Sequence, residues 1–200
     1  MLKPQAPKLP PLIRRPAVLR LLIIALLAEI SYAVLNISTM PVYLSEKRGF
    51  GEFLVSIVFV SFLLSEAIFK GPMGHLADRY GCRLFMIVGP SITLCTSILT
   101  IVLPGGDKIG FWEPIALIVM RVLDGIGAAM LWPAAFAEMG AVVEDKHRQQ
   151  AMSLLNMCYL LGIALAMPIG GIAEDLAGSA GKPQLSAGLY LAAVFFGCIT

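Results

Sequence analysis

Residues 53–83 read FLVSIVFVSFLLSEAIFKGPM and then GHLADRYGCR, an apolar run closed by a short charged segment with a glycine near each end. The first part matches the roughly twenty residues that an α-helix needs to cross a bilayer core, where every backbone N–H and C=O must be satisfied inside the segment. The second part does not belong in hydrocarbon, because Asp78, Arg79 and Arg83 fall within it. A membrane helix is therefore expected to end near residue 73. Gly74 and Gly81 then allow a tight turn and a close approach of the next helix.

The same alternation recurs on both sides. Candidate spans cover 17–44, 53–73, 84–104, 114–137, 149–173 and 185–200, which predicts an all-α, polytopic membrane protein over residues 17–200. Composition agrees: 58% of residues are hydrophobic and 14% charged, whereas about a quarter are charged in a soluble domain. A net charge of +2 and the lack of basic runs interleaved with aromatics exclude a nucleic-acid partner. Cys82, Cys95, Cys158 and Cys198 occur singly, which argues against a disulfide framework or a zinc site. His75 and His147 read as structural loop residues. No HExxH, GxSxG or phosphate loop is present, so an enzyme, a cofactor and a metal are not expected.

Residues 1–16, MLKPQAPKLPPLIRRP, are rich in proline and basic side chains and read as a disordered tail. Lys3, Lys8, Arg14 and Arg15 of this tail fall on the same side as Arg79, Arg83, Lys146 and Arg148. On the other side Lys47, Arg48, Lys108 and Lys182 are balanced by acids. The positive-inside bias places the N-terminus in the cytoplasm and the chain in an inner membrane. The last span closes on VFFGCIT without a polar flank and reads as truncated.

An ionisable group near the bilayer centre costs roughly 2.5–3.5 kcal/mol on insertion scales, so its presence asks for a partner or a task. Glu29 lies midway through the first span, with Tyr32 and Asn36 at i+3 and i+7 on the same helical face. That face is expected to line a cavity or to lock onto a neighbouring helix. Arg121 and Asp124 stand one turn apart in the fourth span, where they can neutralise each other or divide between substrate and proton. Glu66 and Lys70 read as a surface i,i+4 pair with Lys70 snorkelling to the interface. Gly162, Ala166 and Gly170 form a smooth stripe for a close helix neighbour, and Pro168 permits a bend.

Three motifs carry a family resemblance. Gly74-His-Leu-Ala-Asp78-Arg79-Tyr-Gly81-Cys-Arg83 resembles the signature segment of the major facilitator superfamily. Arg121-Val-Leu-Asp124-Gly125-Ile-Gly127-Ala-Ala129 is similar to that family's fourth-helix stretch. Gly162 to Gly171, with Ala166 in place of a glycine and Pro168 one position late, looks like its fifth-helix antiporter pattern. Residues 138–148 are also similar to the loop between the fourth and fifth helices, so the likeness runs from about Arg20 onward. It implies the N-terminal six-helix half of a secondary transporter, built as two three-helix repeats with the first and fourth helices lining a cavity. It further implies a conformational switch at Gly74, Asp78, Arg79, Gly81 and Arg83, and packing or hinge roles for Gly125, Ala129, Gly162, Ala166, Pro168, Gly170 and Gly171. Alternating access moving a small solute, coupled to protons through Glu29 and Arg121, is the expected activity, with efflux the favoured direction. The expected partners are that solute, protons, membrane lipid, and a C-terminal six-helix half or a second copy. The competing expectation is a truncated or half-transporter subunit that does not transport.

Overall fold

A computed structural model describes residues 12, 15–103, 112–179 and 187–199. Helix α1 is a single apolar rod over Pro16–Glu46. It is followed by α2 (Glu52–Tyr80), α3 (Cys82–Val102), α4 (Trp112–Val142), α5 (Asp145–Ser179) and the shorter α6 (Ala187–Ile199). The first five are long and apolar enough to cross a membrane. No strand occurs among the described residues. The proposed tail, apart from Leu12, Arg15 and Pro16, lies outside the described residues. Pro16 opens α1 at a position where its fixed φ suits the helix and its missing N–H costs nothing.

Winding changes inside α1. The rod is α-helical over Pro16–Ala33, π-helical over Val34–Thr39, α-helical again over Met40–Val42 and π-helical over Tyr43–Lys47. Pro41 cannot donate a backbone hydrogen bond to the preceding turn, and the wider winding flanks it on both sides. Periodicity did not predict this change.

Helix α2 also departs from expectation. It runs through the charged motif to Tyr80, so the expected loop shrinks to Gly81 alone, whose φ of 102° favours glycine. Residues 74–80 stay helical because His75, Asp78, Arg79 and Tyr80 reach water while the backbone remains bonded, and the Gly81 N–H caps the helix on Ala77 O at 2.8 Å. His75 and His147 consequently lie within helix ends, not in loops.

In lipid, apolar side chains gain nothing by leaving one hydrocarbon for another, so helices associate where small residues allow backbone contact. A Cβ on Gly127 of α4 would lie 2.7 Å from Gly89 O of α3. One on Gly125 would strike the backbone of α2 at Phe62 and Glu66, and one on Gly162 of α5 would lie 2.6 Å from Glu29 Cβ of α1. Helix α4 thus packs on α2 and α3, α1 packs on α5 and α6, and α3 meets α6. Exchanging α1 with α4, α2 with α5 and α3 with α6 returns the same set of pairings, as two three-helix repeats require. Helices α2 and α5 keep apolar rows uncovered, including Val60, Leu64 and Ile68 on one and Leu160, Met167 and Ile172 on the other.

Candidate functional site

Helices α1, α2, α4 and α5 enclose a cavity of about 90 Å³. Glu29, Tyr32 and Asn36 all border it, so the face read from their spacing does line a cavity. Glu29 is only 5% exposed. Its carboxylate makes no hydrogen bond or ion pair among the described residues. Gly162 permits this placement, since the α5 backbone rests directly on the Glu29 stem. Phe59 and Phe62 from α2, Trp132 from α4 and Tyr159 from α5 complete an aromatic wall. The rings interlock in pairs: Tyr32 lies 6.4 Å from Phe62, and Trp132 meets Tyr159 edge-on at 4.9 Å. Glu66 also borders the cavity, a role that its surface-pair reading missed, although its expected partner is present with Lys70 Nζ at 2.7 Å. Trp132 and Tyr159 are shared with a second, roomier recess of about 400 Å³ that reaches Lys70, Pro133, Phe136 and Asn156.

Arg121 and Asp124 occupy a separate place. Both are completely buried, with Arg121 Nη1 2.6 Å from Asp124 Oδ2. Thr96 of α3 donates to the other Asp124 oxygen, while Arg121 donates to Asn36 Oδ1 at 3.3 Å and to Thr100 Oγ1 at 3.4 Å. Tyr32 OH meets Thr93 Oγ1 at 3.1 Å, and Asn36 donates to Tyr32 O at 3.0 Å. Asn36 therefore touches both the cavity and the ion-pair cluster. Thr93, Thr96, Ser97 and Thr100 form a buried hydroxyl stripe whose i, i+3, i+4, i+7 spacing could have announced it in the sequence.

At the bundle end that carries the charged motif, Arg83 pairs with Glu138 and Arg15 with Glu144, each at 3.3 Å. Glu144 is exposed, and its carboxyl is held below the usual range chiefly by the hydrogen bond from Lys146, with Arg15 adding to it. Asp78 and Arg79 are exposed, and Arg79 lies over the Tyr80 ring. The opposite end holds an ion pair that sequence reasoning left among the loop charges. Arg48 Nη1 lies 2.7 Å from Glu113 Oε1, with both side chains 6% exposed. Arg48 also donates to Leu103 O and Tyr43 OH, joining the ends of α1, α3 and α4.

The small-residue positions divide into two sets. Gly125 and the fully buried Ala129 sit on the packed side of α4. Gly162, Ala166 and Gly170 are covered by α1 of the same bundle. Pro168 and Gly171 lie on the exposed side of α5.

The profile of the Major Facilitator Superfamily matches residues 21–200. Over 143 residues, 70% of the chain, the sequence is 27% identical to an uncharacterized MFS-type transporter, MJ1560, of Methanocaldococcus jannaschii. Over 125 residues, 62% of the chain, it is 27% identical to the inner membrane transport protein YajR of Escherichia coli strain K12. These matches take in 34% and 25% of the two relatives, so the chain spans only part of the curated proteins that it matches.

Proposed function

The chain belongs to the major facilitator superfamily, a family of membrane transporters, and from that membership we propose that it moves a small solute by alternating access coupled to protons. The observation that carries this reading is Glu29, a buried carboxylate without a hydrogen-bond partner among the described residues, set against a cavity between four helices. A carboxyl group there can take and release a proton as the cavity opens to one side and then the other. Asn36 ties that cavity to the Arg121–Asp124 pair, which supports a share for the pair in coupling. Efflux is the favoured direction, on the pattern from Gly162 to Gly171.

The basic segments gathered around Arg15, Arg83 and Arg148 support a cytoplasmic N-terminus and insertion in an inner membrane. The exposed apolar rows of α2 and α5, with Pro168 and Gly171 beside them, suit contact with a second six-helix half or a second copy. Exposed Asp78 and Arg79 are available to pair across that contact as a conformational latch.

Everted vesicles carrying the whole protein test the reading. A panel of small solutes is added to vesicles holding a pH gradient, and dissipation is followed with a pH-sensitive dye. Solutes that collapse the gradient with wild-type protein are expected to have background effect with Glu29→Gln, at equal membrane content. Undiminished solute-driven proton flux in that variant would remove Glu29 from the mechanism.

A further inference from the structure

Asp124 gives one carboxylate oxygen to Arg121 and the other to α3. Its Oδ2 lies 2.6 Å from Arg121 Nη1, and its Oδ1 accepts from Thr96 Oγ1. The same Thr96 hydroxyl stands 3.0 Å from Thr93 O, a second acceptor on its own helix. A hydroxyl carries one hydrogen and two lone pairs, so Thr96 serves only one of these acceptors at a time and can also accept a bond itself. Close packing holds the choice in place. A Cβ on Gly127 would lie 2.7 Å from Gly89 O and 2.7 Å from Thr93 Oγ1, so the α3 and α4 backbones touch beside the hydroxyl and the carboxylate. Thr96 is 2% exposed and Asp124 completely buried, so bulk water replaces neither bond. The ionisable groups around the pair are few. Tyr32 of α1 lies in the field of Asp124, of Glu29 and of Glu66, which Lys70 neutralises, while α3 contributes only hydroxyls here.

We propose that Thr96 is a positioning residue whose hydroxyl turns between Asp124 and Thr93 O, so that Asp124 can hold or release a proton with every buried group still bonded; its part in transport rests on the proton-coupled reading above. With Asp124 ionised, Thr96 donates to Oδ1. When a proton from water reaches Asp124, the new Oδ1–H donates to Thr96 Oγ1, and the Thr96 hydrogen turns to Thr93 O. Release is the reverse: the Oδ1–H bond breaks, the proton returns to water, and Thr96 turns back. A valine can do neither, and a buried polar group left unpaired costs more than its hydrogen bond contributes. Proton uptake also removes the counter-charge of Arg121, whose bonds to Asn36 and Thr100 carry no charge. The protonated pair thus favours any arrangement that brings water or another carboxylate to the guanidinium, which links proton binding to a change of conformation.

Infrared difference spectroscopy of the whole protein in lipid, stepped between high and low pH with isotope-labelled aspartate, reads the carboxyl band of protonated Asp124. The double variant Arg121→Gln with Asp124→Asn supplies the blank. Thr96→Val is expected to move the band to higher frequency, because the acid O–H loses its acceptor, and Thr96→Ser to return it to the wild-type position. In the everted-vesicle assay Thr96→Val should lower solute-driven proton flux roughly tenfold, and Thr96→Ser should keep most of it. The proposal is overturned by a wild-type protein without the band, by an unmoved band in folded Thr96→Val, or by Thr96→Ser behaving as Thr96→Val does. Undiminished flux in Thr96→Val overturns it as well. If instead the band moves as expected while no solute drives protons in wild-type vesicles, the proton-coupled reading falls and the proton switch at Thr96 stands.

Discussion

Asp124→Asn alone is expected to lower the stability of the protein by about 3–5 kcal/mol, while Arg121→Gln combined with Asp124→Asn recovers most of that loss. Among the described residues Arg121 is the largest fully buried side chain, and Asp124 is the one carboxylate paired with it. Asn36 and Thr100 supply hydrogen bonds but no charge, so the single substitution strands a guanidinium where no water reaches it. Removing both charges leaves amides that can bond each other and the α3 hydroxyl stripe. Thermal unfolding of the purified variants measures the difference. A double variant that melts as low as Asp124→Asn would show that the pair's charges do not balance each other. A double variant that is stable yet transports nothing would assign the pair to coupling as well as to architecture.

Gly125→Val is expected to be still more disruptive to folding, because the atoms in its way are backbone. Any Cβ at this position meets Phe62 O and Ser65 Oγ and would come within 2.9 Å of Glu66 N. A hydroxyl can rotate, but two backbone groups of a helix yield only if α2 and α4 separate. Overpacking costs typically 1–3 kcal/mol when side chains can adjust, and more where they cannot. Gly71→Val provides the control, since nothing lies within 4 Å of that position on the same helix α2. The yield of monodisperse protein and the unfolding midpoint should fall for Gly125→Val and hold for Gly71→Val. Equal behaviour of the two would mean that close α2–α4 contact does not hold the bundle together.

Much of the architecture was legible because a bilayer enforces a simple rule: about twenty apolar residues, then a polar break. The break at Gly81 was readable from composition, but its shape was not, since the backbone stays helically bonded through His75, Asp78 and Arg79 up to Tyr80. Glu29, Tyr32 and Asn36 were legible as one face from their spacing, and Arg121 with Asp124 as a pair from theirs. What lay beyond the sequence was which faces meet. Glu66 looked like half of a surface pair until α2 was seen turned toward Glu29. Arg48 and Glu113 are far apart along the chain, and the ends of three helices must converge before they form a buried bond. The stripe Gly162, Ala166, Gly170 announced a close neighbour without saying which helix it would be.

The π-wound stretch of α1 has a consequence for how positions correspond between proteins. Each π turn closes on the fifth residue back where an α turn closes on the fourth, so Val34–Thr39 stores extra chain length without lengthening the connection at either end. Tyr32, just before it, keeps its face toward Thr93, and Thr39, at its last position, stands against Gly188. In evolutionary terms the stretch behaves as an absorbed insertion. Against a relative whose first helix is α-wound throughout, this chain would align correctly past Thr39 only with a one-residue gap inside this stretch, and Tyr43–Lys47 would call for its own.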